Sequence, residues 1–251
     1  MRRRRVAPSL ITVIALLPAA LTGCGDLPER PTPTSLETPV PVRSVEDVVA
    51  AARPGVVKIR TVASSCQTII EGTGFVIAPN LVLTNAHVVA GGESVTVEAD
   101  GDALDARVVY FDPKVDISVI DVPQLSAQPL SLASSAVTAG TEALVLSYPN
   151  AGSFVAMPVR IREITELNGP DIYRTTEATR QVYIVDAADG RPLQGVSGSP
   201  LIDMNGGVLG VVFGAGTEHL ATGFAVASIE IAPQLAAIGN AQPVATGACI
   251  S

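Results

Sequence analysis

Residues 194–200 read Gln-Gly-Val-Ser-Gly-Ser-Pro, so Ser197 stands in a glycine-rich segment immediately before the apolar residues Leu201 and Ile202. Glycine allows the backbone to turn sharply, so that successive N–H groups point at one spot. Such a turn would expose the Ser197 hydroxyl and direct the N–H groups of Gly195 and Ser197 at a developing oxyanion. Standing alone, the segment is more typical of a glycine- and serine-rich hairpin. Its meaning therefore depends on the rest of the chain.

The chain contains two histidines, and one lies where a general base is needed. His87 follows an apolar stretch in the segment LTNAHVVAG (residues 83–91), whereas His219 lies in a loop whose composition indicates exposure to solvent. A general base needs a pKa near the working pH and a nucleophile within reach. His87 is the better candidate, although a lone histidine is more often structural. If it acts as the base, the rate falls in acid, as the imidazole becomes protonated.

Three segments together resemble the catalytic blocks of trypsin-like serine proteases: TNAHVVAG, the Asp116 segment DISVI and QGVSGSP. They occur in the His, Asp, Ser order of that fold. The resemblance covers residues 44–251 and implies that Asp116 orients the imidazole of His87, which takes the proton of Ser197. Asp112 competes for the orienting role, but the following Pro113 indicates a turn, whereas Asp116 directly precedes the apolar run expected of the family.

Further segments narrow the resemblance. The sequences GTGFVI (residues 72–77), GPDIY (169–173) and GACIS (247–251) are similar to the actinobacterial acid-resistance periplasmic protease (MarP) family. That family implies an all-β fold of two six-stranded antiparallel β-barrels (chymotrypsin-like), with the active site between them, and a disulfide between Cys66 and Cys249. Two free buried thiols are the alternative. Members usually carry membrane helices that this sequence lacks, so a role in acid stress is not implied.

Two residues of the serine segment depart from the family pattern. Val196 stands where many relatives have Asp or Asn, and in digestive relatives that Asp pairs with a freed N-terminus on activation. The pocket is therefore either formed without that switch or imperfectly formed. Ser199 replaces the usual glycine.

The primary specificity pocket is located by family offset alone. Arg191 falls near its base, with Val212, Phe213 and Gly214 along one wall and Phe224 on the other side. A cation at the base would favour an acidic side chain in the substrate. The alternative is that Arg191 is a solvated loop residue.

The N-terminus reads as an export signal. Arg2–Arg5 precede a short apolar stretch, Ser9–Leu21, and the sequence Leu-Thr-Gly-Cys at residues 21–24 resembles the lipobox of bacterial lipoproteins. We predict a signal peptide over residues 1–23 and acylation of Cys24, which would anchor the protein to the extracytoplasmic face of the cell membrane. The alternative is an ordinary secretory signal with a chance cysteine. Residues 24–43 form a proline-rich linker of extended geometry.

Composition excludes several functions. Hydrophobic residues make up 47% of the 251 residues and charged residues 16%, which argues against a disordered chain. Removing the four positive charges of Arg2–Arg5 from the formal charge of −8 leaves −12, and such a chain is a poor nucleic-acid binder. Two isolated histidines and scattered cysteines give no metal-ligand cluster, and we expect no cofactor.

Hydrophobic alternation predicts short strands separated by Gly, Pro and Asn, with a helix capped by Ser44 at the start and another over about residues 228–238. We place barrel 1 at about residues 44–125 and barrel 2 at about 136–251. The predicted strands are Val56–Thr61, Thr73–Ala78, Leu81–Thr84, Ser94–Glu98, Leu104–Phe111, Ile117–Asp121, Ala143–Tyr148, Phe154–Arg162, Gln181–Val185, Val208–Phe213 and Thr222–Val226.

The sequence thus predicts a serine endopeptidase that cleaves exported or cell-envelope proteins through an acyl-enzyme, and that works as a monomer. A different class is a catalytically inactive lipoprotein in which the protease fold is reused as a binding or scaffold module. An esterase is a remote third reading.

Overall fold

The computed structural model describes residues 43–133, 137–236, 238 and 242–250. The first element is α1, Val45–Ala52, and Ser44 caps it as expected: the N–H of Asp47 donates to Ser44 Oγ at 3.1 Å, and that hydroxyl donates to Asp47 Oδ2 at 2.9 Å. The helix buries Val48 and Ala52 and ends before a single turn at Arg53–Gly55. The first of these bonds satisfies a helix N–H that would otherwise lack a partner.

Strands dominate the remainder of the described chain. Barrel 1 contains β1 to β6, which are Val56–Ala63, Thr68–Ala78, Leu81–Thr84, Ser94–Ala99, Asp102–Asp112 and Ile117–Asp121. Barrel 2 contains β7 to β12, which are Glu142–Ser147, Val155–Pro170, Glu177–Ala187, Pro200–Asp203, Val208–Ala215 and Thr222–Ala227. The short helix α2, Ala86–Val89, follows β3, and α3, Ser228–Ala236, follows β12.

The strands close into two antiparallel barrels, in the orders β1-β2-β3-β6-β5-β4 and β10-β11-β12-β9-β8-β7. The predicted all-β fold of two six-stranded barrels with a C-terminal helix is therefore confirmed. Several strand bounds differ from the sequence prediction; β2, for example, begins at Thr68 rather than at Thr73. Strand β10 was not predicted, because only four residues separate the glycine-rich turn from the next loop. Strands β8 and β9 extend well beyond the predicted ends and pair as far as Pro170 with Glu177.

Three apolar clusters hold these elements together. One fills barrel 1 around Ile59 and Val82, and another fills barrel 2 around Leu201 and Val145. The third lies between the barrels and joins outward-facing side chains of both to α1 and α3; its members include Phe75, Leu83, Leu144, Val211 and Ile231. The two barrels therefore pack directly against each other through this shared buried layer.

The C-terminal residues 242–250 run back along barrel 1. The N–H of Val244 donates to Val108 O at 2.9 Å, and the N–H of Gly91 donates to Thr246 O at 3.1 Å. Cys249 thereby meets Cys66: their sulfur atoms are in contact and their Cα atoms are 6.1 Å apart, within the usual range for a disulfide. The tail therefore packs against the segment that follows His87.

Within the described part of the chain, no helix has the length and apolar character needed to cross a bilayer. The predicted signal peptide, Cys24 and the linker up to residue 42 lie outside the described residues.

Candidate active site

His87 and Asp116 form a close pair at the junction of the two barrels. His87 lies on α2, directly after β3, and Asp116 directly precedes β6, the strand that pairs with β3. The Nδ1 atom of His87 is 2.7 Å from Asp116 Oδ2, and the backbone N–H of His87 donates to Asp116 Oδ1 at 2.9 Å. Both carboxylate oxygens are thus used on one histidine, which fixes the imidazole ring and favours a proton on Nδ1.

The backbone at Asp116 has a positive φ of 63°, a left-handed conformation that Asp tolerates better than most residues. The competing candidate, Asp112, has a different task. Its Oδ1 accepts from the N–H groups of Lys114 at 2.9 Å and Val115 at 3.2 Å, so its carboxylate closes the turn before Asp116. The hydrogen bonds of the described residues thus join His87 to Asp116 and not to Asp112.

The environment of His87 alters its acidity. Burial alone would lower the pKa of this histidine, but the negative charge of Asp116 and its hydrogen bond together outweigh burial and raise the pKa above the ordinary value of 6.5. The side chain of His87 is 25% exposed and that of Asp116 is 5% exposed, so the pair is largely shielded from water but open on the imidazole side. A raised pKa suits a group that must accept a proton and then return it.

Ser197 lies in a tight turn. The N–H of Ser199 donates to Val196 O at 3.1 Å, which closes four residues, and Gly198 at the third position has φ +80°. That position of a type II turn requires glycine, because a side chain there is strained. Val196 is 2% exposed and packs into the core of barrel 2. The turn is therefore held by apolar packing, without the ion pair that forms it in digestive relatives.

A buried asparagine connects the serine turn to the aspartate. Asn85, two residues before His87, donates from Nδ2 to Asp116 O at 2.9 Å and accepts from the N–H of Gly198 at Oδ1, at 2.6 Å. Its exposure is 0%. One side chain therefore joins the segments that carry all three candidate catalytic residues, across two barrels.

Thr73 of β2 makes a second connection. Its N–H donates to Ser197 O at 2.9 Å, its carbonyl accepts from Thr84 Oγ1 at 2.7 Å, and its hydroxyl accepts from the N–H of Tyr148 at 3.0 Å. Barrel 1 thus holds both the serine turn and the loop that follows β7.

The hydrogen bonds among the described residues do not include one from Ser197 Oγ to the His87 ring. Such bonds are often long without substrate and tighten in the complex. Among the described residues, the N–H groups of Gly195 and Ser197 also make no hydrogen bond. A pair of donors that binds an oxyanion must be unoccupied in this way. Gly195 has φ +70° and lies against the side chain of Asn150, where a Cβ atom would not fit.

The residues predicted for the specificity pocket lie in different environments. Phe213 lines a cavity with His87, and its ring centroid is 6.2 Å from that of Phe224, which lines a neighbouring cavity of about 380 Å³. Val212 is fully buried and meets the serine turn through its backbone, accepting from the N–H of Gly198 at 2.8 Å. A Cβ atom at Gly214 would meet open space. Arg191 is exposed and ion-paired with Asp189 at 2.6 Å.

Sequence reasoning gave no role to Asn85, Thr73 or Arg180. Asn85 had a usable signal: an amide between an apolar strand and an apolar helix must find partners if it is buried. Thr73 had none, because threonine is common in strands.

Replacing Gly198 by alanine should disrupt this junction. The added Cβ would collide with Thr73 O and Thr84 Oγ1, and the left-handed backbone would also be strained. We expect a loss of about 3 kcal/mol in the free energy of unfolding, combining backbone strain with overpacking. Displacement of the serine by even about 1 Å should lower kcat/KM by roughly 100-fold.

Gly206→Ala is the matched control, because Gly206 has φ +87° but open space around its Cβ position. It should lose only the strain, about 1 kcal/mol, and keep its activity. Urea unfolding and peptide hydrolysis measure both effects. Equal losses in the two variants would contradict the close approach of the serine turn to barrel 1.

Comparison with known proteins agrees with this geometry. A family model described as the trypsin-like peptidase domain matches residues 72–211, which include His87, Asp116 and Ser197. The serine protease Rv3671c of Mycobacterium tuberculosis is 47% identical over 257 aligned residues, covering 100% of this chain and 64% of that protein. A probable periplasmic serine endoprotease (DegP-like) of Chlamydia trachomatis is 31% identical over 173 residues, 64% of this chain and 32% of its own.

Among solved structures, the active form of the Rv3671c protease of M. tuberculosis superposes with a TM-score of 0.79 at 50% identity, covering 88% of this chain and 99% of that chain. The resemblance of residues 44–251 to the trypsin-like serine proteases is therefore confirmed. This chain spans 64% of the length of the Mycobacterium relative, which is less than two thirds.

Proposed function

Because the chain belongs to the trypsin-like peptidase family, we propose that it is a serine endopeptidase in which Ser197, His87 and Asp116 carry out peptide-bond hydrolysis. One observation supports this most strongly. His87 is held by both oxygens of Asp116, and Asn85 ties the same aspartate to the serine turn. Buried polar groups need specific partners, so these bonds position the three segments in a way that apolar packing alone would not.

In the proposed reaction, Ser197 Oγ attacks the carbonyl carbon of the scissile peptide while His87 Nε2 takes the hydroxyl proton. The tetrahedral intermediate collapses when His87 returns that proton to the leaving amine, which yields an acyl-enzyme and the first product. A water molecule then attacks the acyl carbon while His87 takes one of its protons. The bond from that carbon to Ser197 Oγ breaks, His87 returns the proton to Ser197, and the second product leaves with its new carboxyl group. Asp116 stays ionised throughout and stabilises the imidazolium that forms in each half-reaction.

The oxyanion of each intermediate would be bound by the N–H groups of Gly195 and Ser197. These two donors carry no hydrogen bond within the described part of the chain. The turn that presents them is packed around the buried side chain of Val196. Val196 departs from the family pattern, and this departure motivated the alternative of an inactive binding module. It is thus compatible with a formed turn, and no observation favours the inactive alternative.

The finer features follow from the sequence. We infer that the substrates are exported or cell-envelope proteins, because the Leu21–Cys24 segment reads as a lipidation site. Acylated Cys24 would anchor the enzyme on the extracytoplasmic face of the membrane, where oxidising conditions allow Cys66 and Cys249 to form a disulfide. The sulfur contact between these two cysteines supports that pairing. We expect the enzyme to work as a monomer.

Active-site labelling tests the proposal directly. The full-length protein, purified from membranes, should react with a fluorophosphonate, and peptide mass spectrometry should find one phosphonylated serine, Ser197. Protein unfolded in urea before exposure is the control and should not be labelled, because an isolated serine hydroxyl is a weak nucleophile. Folded protein that remains unlabelled, or is labelled at another serine, would refute the assignment.

A further inference from the structure

A cavity of about 600 Å³ adjoins the His87–Asp116 pair. The hairpin of β8 and β9 forms one side of it, and Phe213 and Ile250 close others. Most of the lining is apolar, but Arg180 of β9 also contributes to the wall. A peptide bound for cleavage at Ser197 must lie against His87, so its neighbouring side chains have access to this cavity.

Arg180 is buried to an unusual degree for a charged residue, with 5% of its surface exposed. Its Nη2 donates to Pro170 O at 2.8 Å, and its guanidinium carbon lies 5.7 Å from the centroid of the Phe213 ring. Its Nε atom is buried and makes no hydrogen bond among the described residues. Over the same residues, no carboxylate lies within ion-pair distance of Arg180. Buried cations are rare without an anionic partner, since removal from water is costly.

The carboxylates that line the cavity are already occupied. Asp116 is bound to His87. Asp171 accepts from the N–H groups of Tyr173 and Thr175 and from the hydroxyls of Thr175 and Thr176. These bonds hold the pKa of Asp171 well below its usual range, and the bond from the Thr175 N–H contributes most. The charge of Asp171 is therefore already balanced by donors of its own turn.

We propose that Arg180 is a specificity-determining residue, which binds the carboxylate of an acidic side chain in the peptide substrate within a few residues of the scissile bond. The inference rests on the proposed endopeptidase function and deepens it. A guanidinium presents paired donors that match a carboxylate, and it is fixed here by the carbonyl of Pro170 and by the ring of Phe213. The apolar walls exclude water and strengthen the ion pair.

Arg191, which the family offset places near the base of the pocket and whose alternative is a solvated loop position, has a different environment from Arg180. Its side chain is 55% exposed and already paired with Asp189. An arginine that has both water and a carboxylate gains little from a substrate anion. Preference for an acidic residue is therefore assigned to Arg180.

The test uses pairs of peptides that differ only by Glu or Gln, which have nearly the same shape, at each of three positions on either side of the cleaved bond. For the wild-type enzyme, kcat/KM should favour Glu by about 10-fold or more at one position, the usual size of a hydrogen-bonded charge contact. Arg180→Met should bring that ratio to about 1. Arg174→Met is the matched control: Arg174 is an exposed cation on the same hairpin, outside the cavity, and its loss should leave the ratio unchanged.

Binding of the same peptides to Ser197→Ala protein, measured by fluorescence anisotropy, separates this inference from the proposed activity. A Glu preference in binding supports the subsite even if no peptide is hydrolysed. If Arg180→Met does not fold, as judged by circular dichroism, the wild-type ratio and an intermediate ratio in Arg180→Lys decide. Equal treatment of Glu and Gln at every position, or a ratio that survives the loss of the guanidinium, would overturn the proposal.

Discussion

Replacement of Ser197 by alanine is expected to lower kcat by about 10⁶-fold, the loss typical of removing a serine nucleophile. Without Oγ no acyl-enzyme forms, and the remaining groups only bind and polarise the substrate. The fold should survive, because the contact of Ser197 with barrel 1 uses its backbone carbonyl, which accepts from Thr73. Single-turnover hydrolysis of a fluorogenic peptide measures the loss, and the thermal unfolding midpoint checks the fold.

Ser199 provides the matched control, two residues along the same turn. It is fully buried, and its hydroxyl makes no hydrogen bond among the described residues. Ser199→Ala should therefore keep kcat within a few-fold of the wild type and should not reduce stability, since it removes a buried polar group without a partner. Turnover that survives Ser197→Ala, or that disappears with Ser199→Ala, would contradict the assignment of the nucleophile.

Asp116→Asn should lower kcat/KM by about 10⁴-fold. Asparagine is suited to the test because it tolerates the left-handed backbone at this position, where φ is +63°. Its amide oxygen can still accept from the backbone N–H of His87. Its NH₂ group, however, would face Nδ1 and favour the tautomer that carries the proton on Nε2. In that tautomer the histidine cannot take a proton from Ser197, so the residual rate depends on the minor tautomer that still carries the proton on Nδ1.

The same variant should move the acid limb of the pH profile. His87 acts as base only when neutral, so the wild-type rate falls as the pH drops through its raised pKa, and the midpoint of kcat/KM should lie above 6.5. In Asp116→Asn, burial still lowers the pKa while the charge that raised it is gone. The midpoint should therefore move below 6.5. Kinetics between pH 4 and 9 and NMR titration of His87 measure the two values.

Asp112→Asn separates the two candidate aspartates. Because Asp112 closes a turn and does not contact His87, its replacement should change kcat/KM by less than about 10-fold and leave the acid limb in place. A wild-type rate that stays flat into strong acid would exclude His87 as the base. A larger loss in Asp112→Asn than in Asp116→Asn would reverse the assignment.

Much of the fold was accessible from the sequence because strand periodicity and turn residues are local signals. The bounds of β3 and β6 agree with prediction, and the capping of α1 by Ser44 was visible in the spacing of Ser44 and Asp47. The ends of β8 and β9 were not visible in the sequence, because apolar residues do not alternate regularly there and only cross-strand pairing defines them.

The candidate site divides in the same way. The order of His87, Asp116 and Ser197 was readable, since each sits in a short motif. The contact of Asn85 with Gly198 joins residues that are 113 positions apart, and no local sequence pattern predicts it. Arg180 lies one residue before the predicted start of its strand, and its burial depends on Phe213 and Pro170, which reach it only in the folded barrel.

The bridge made by Asn85 links two barrels that come from different parts of the chain. The barrel that carries the serine cannot complete the constellation by itself, because the amide that steadies its turn is supplied by the other. A chain trapped with only the serine-bearing barrel formed would hold a serine with no base and no steadied turn. Hydrolysis would therefore begin only once both barrels have folded and docked.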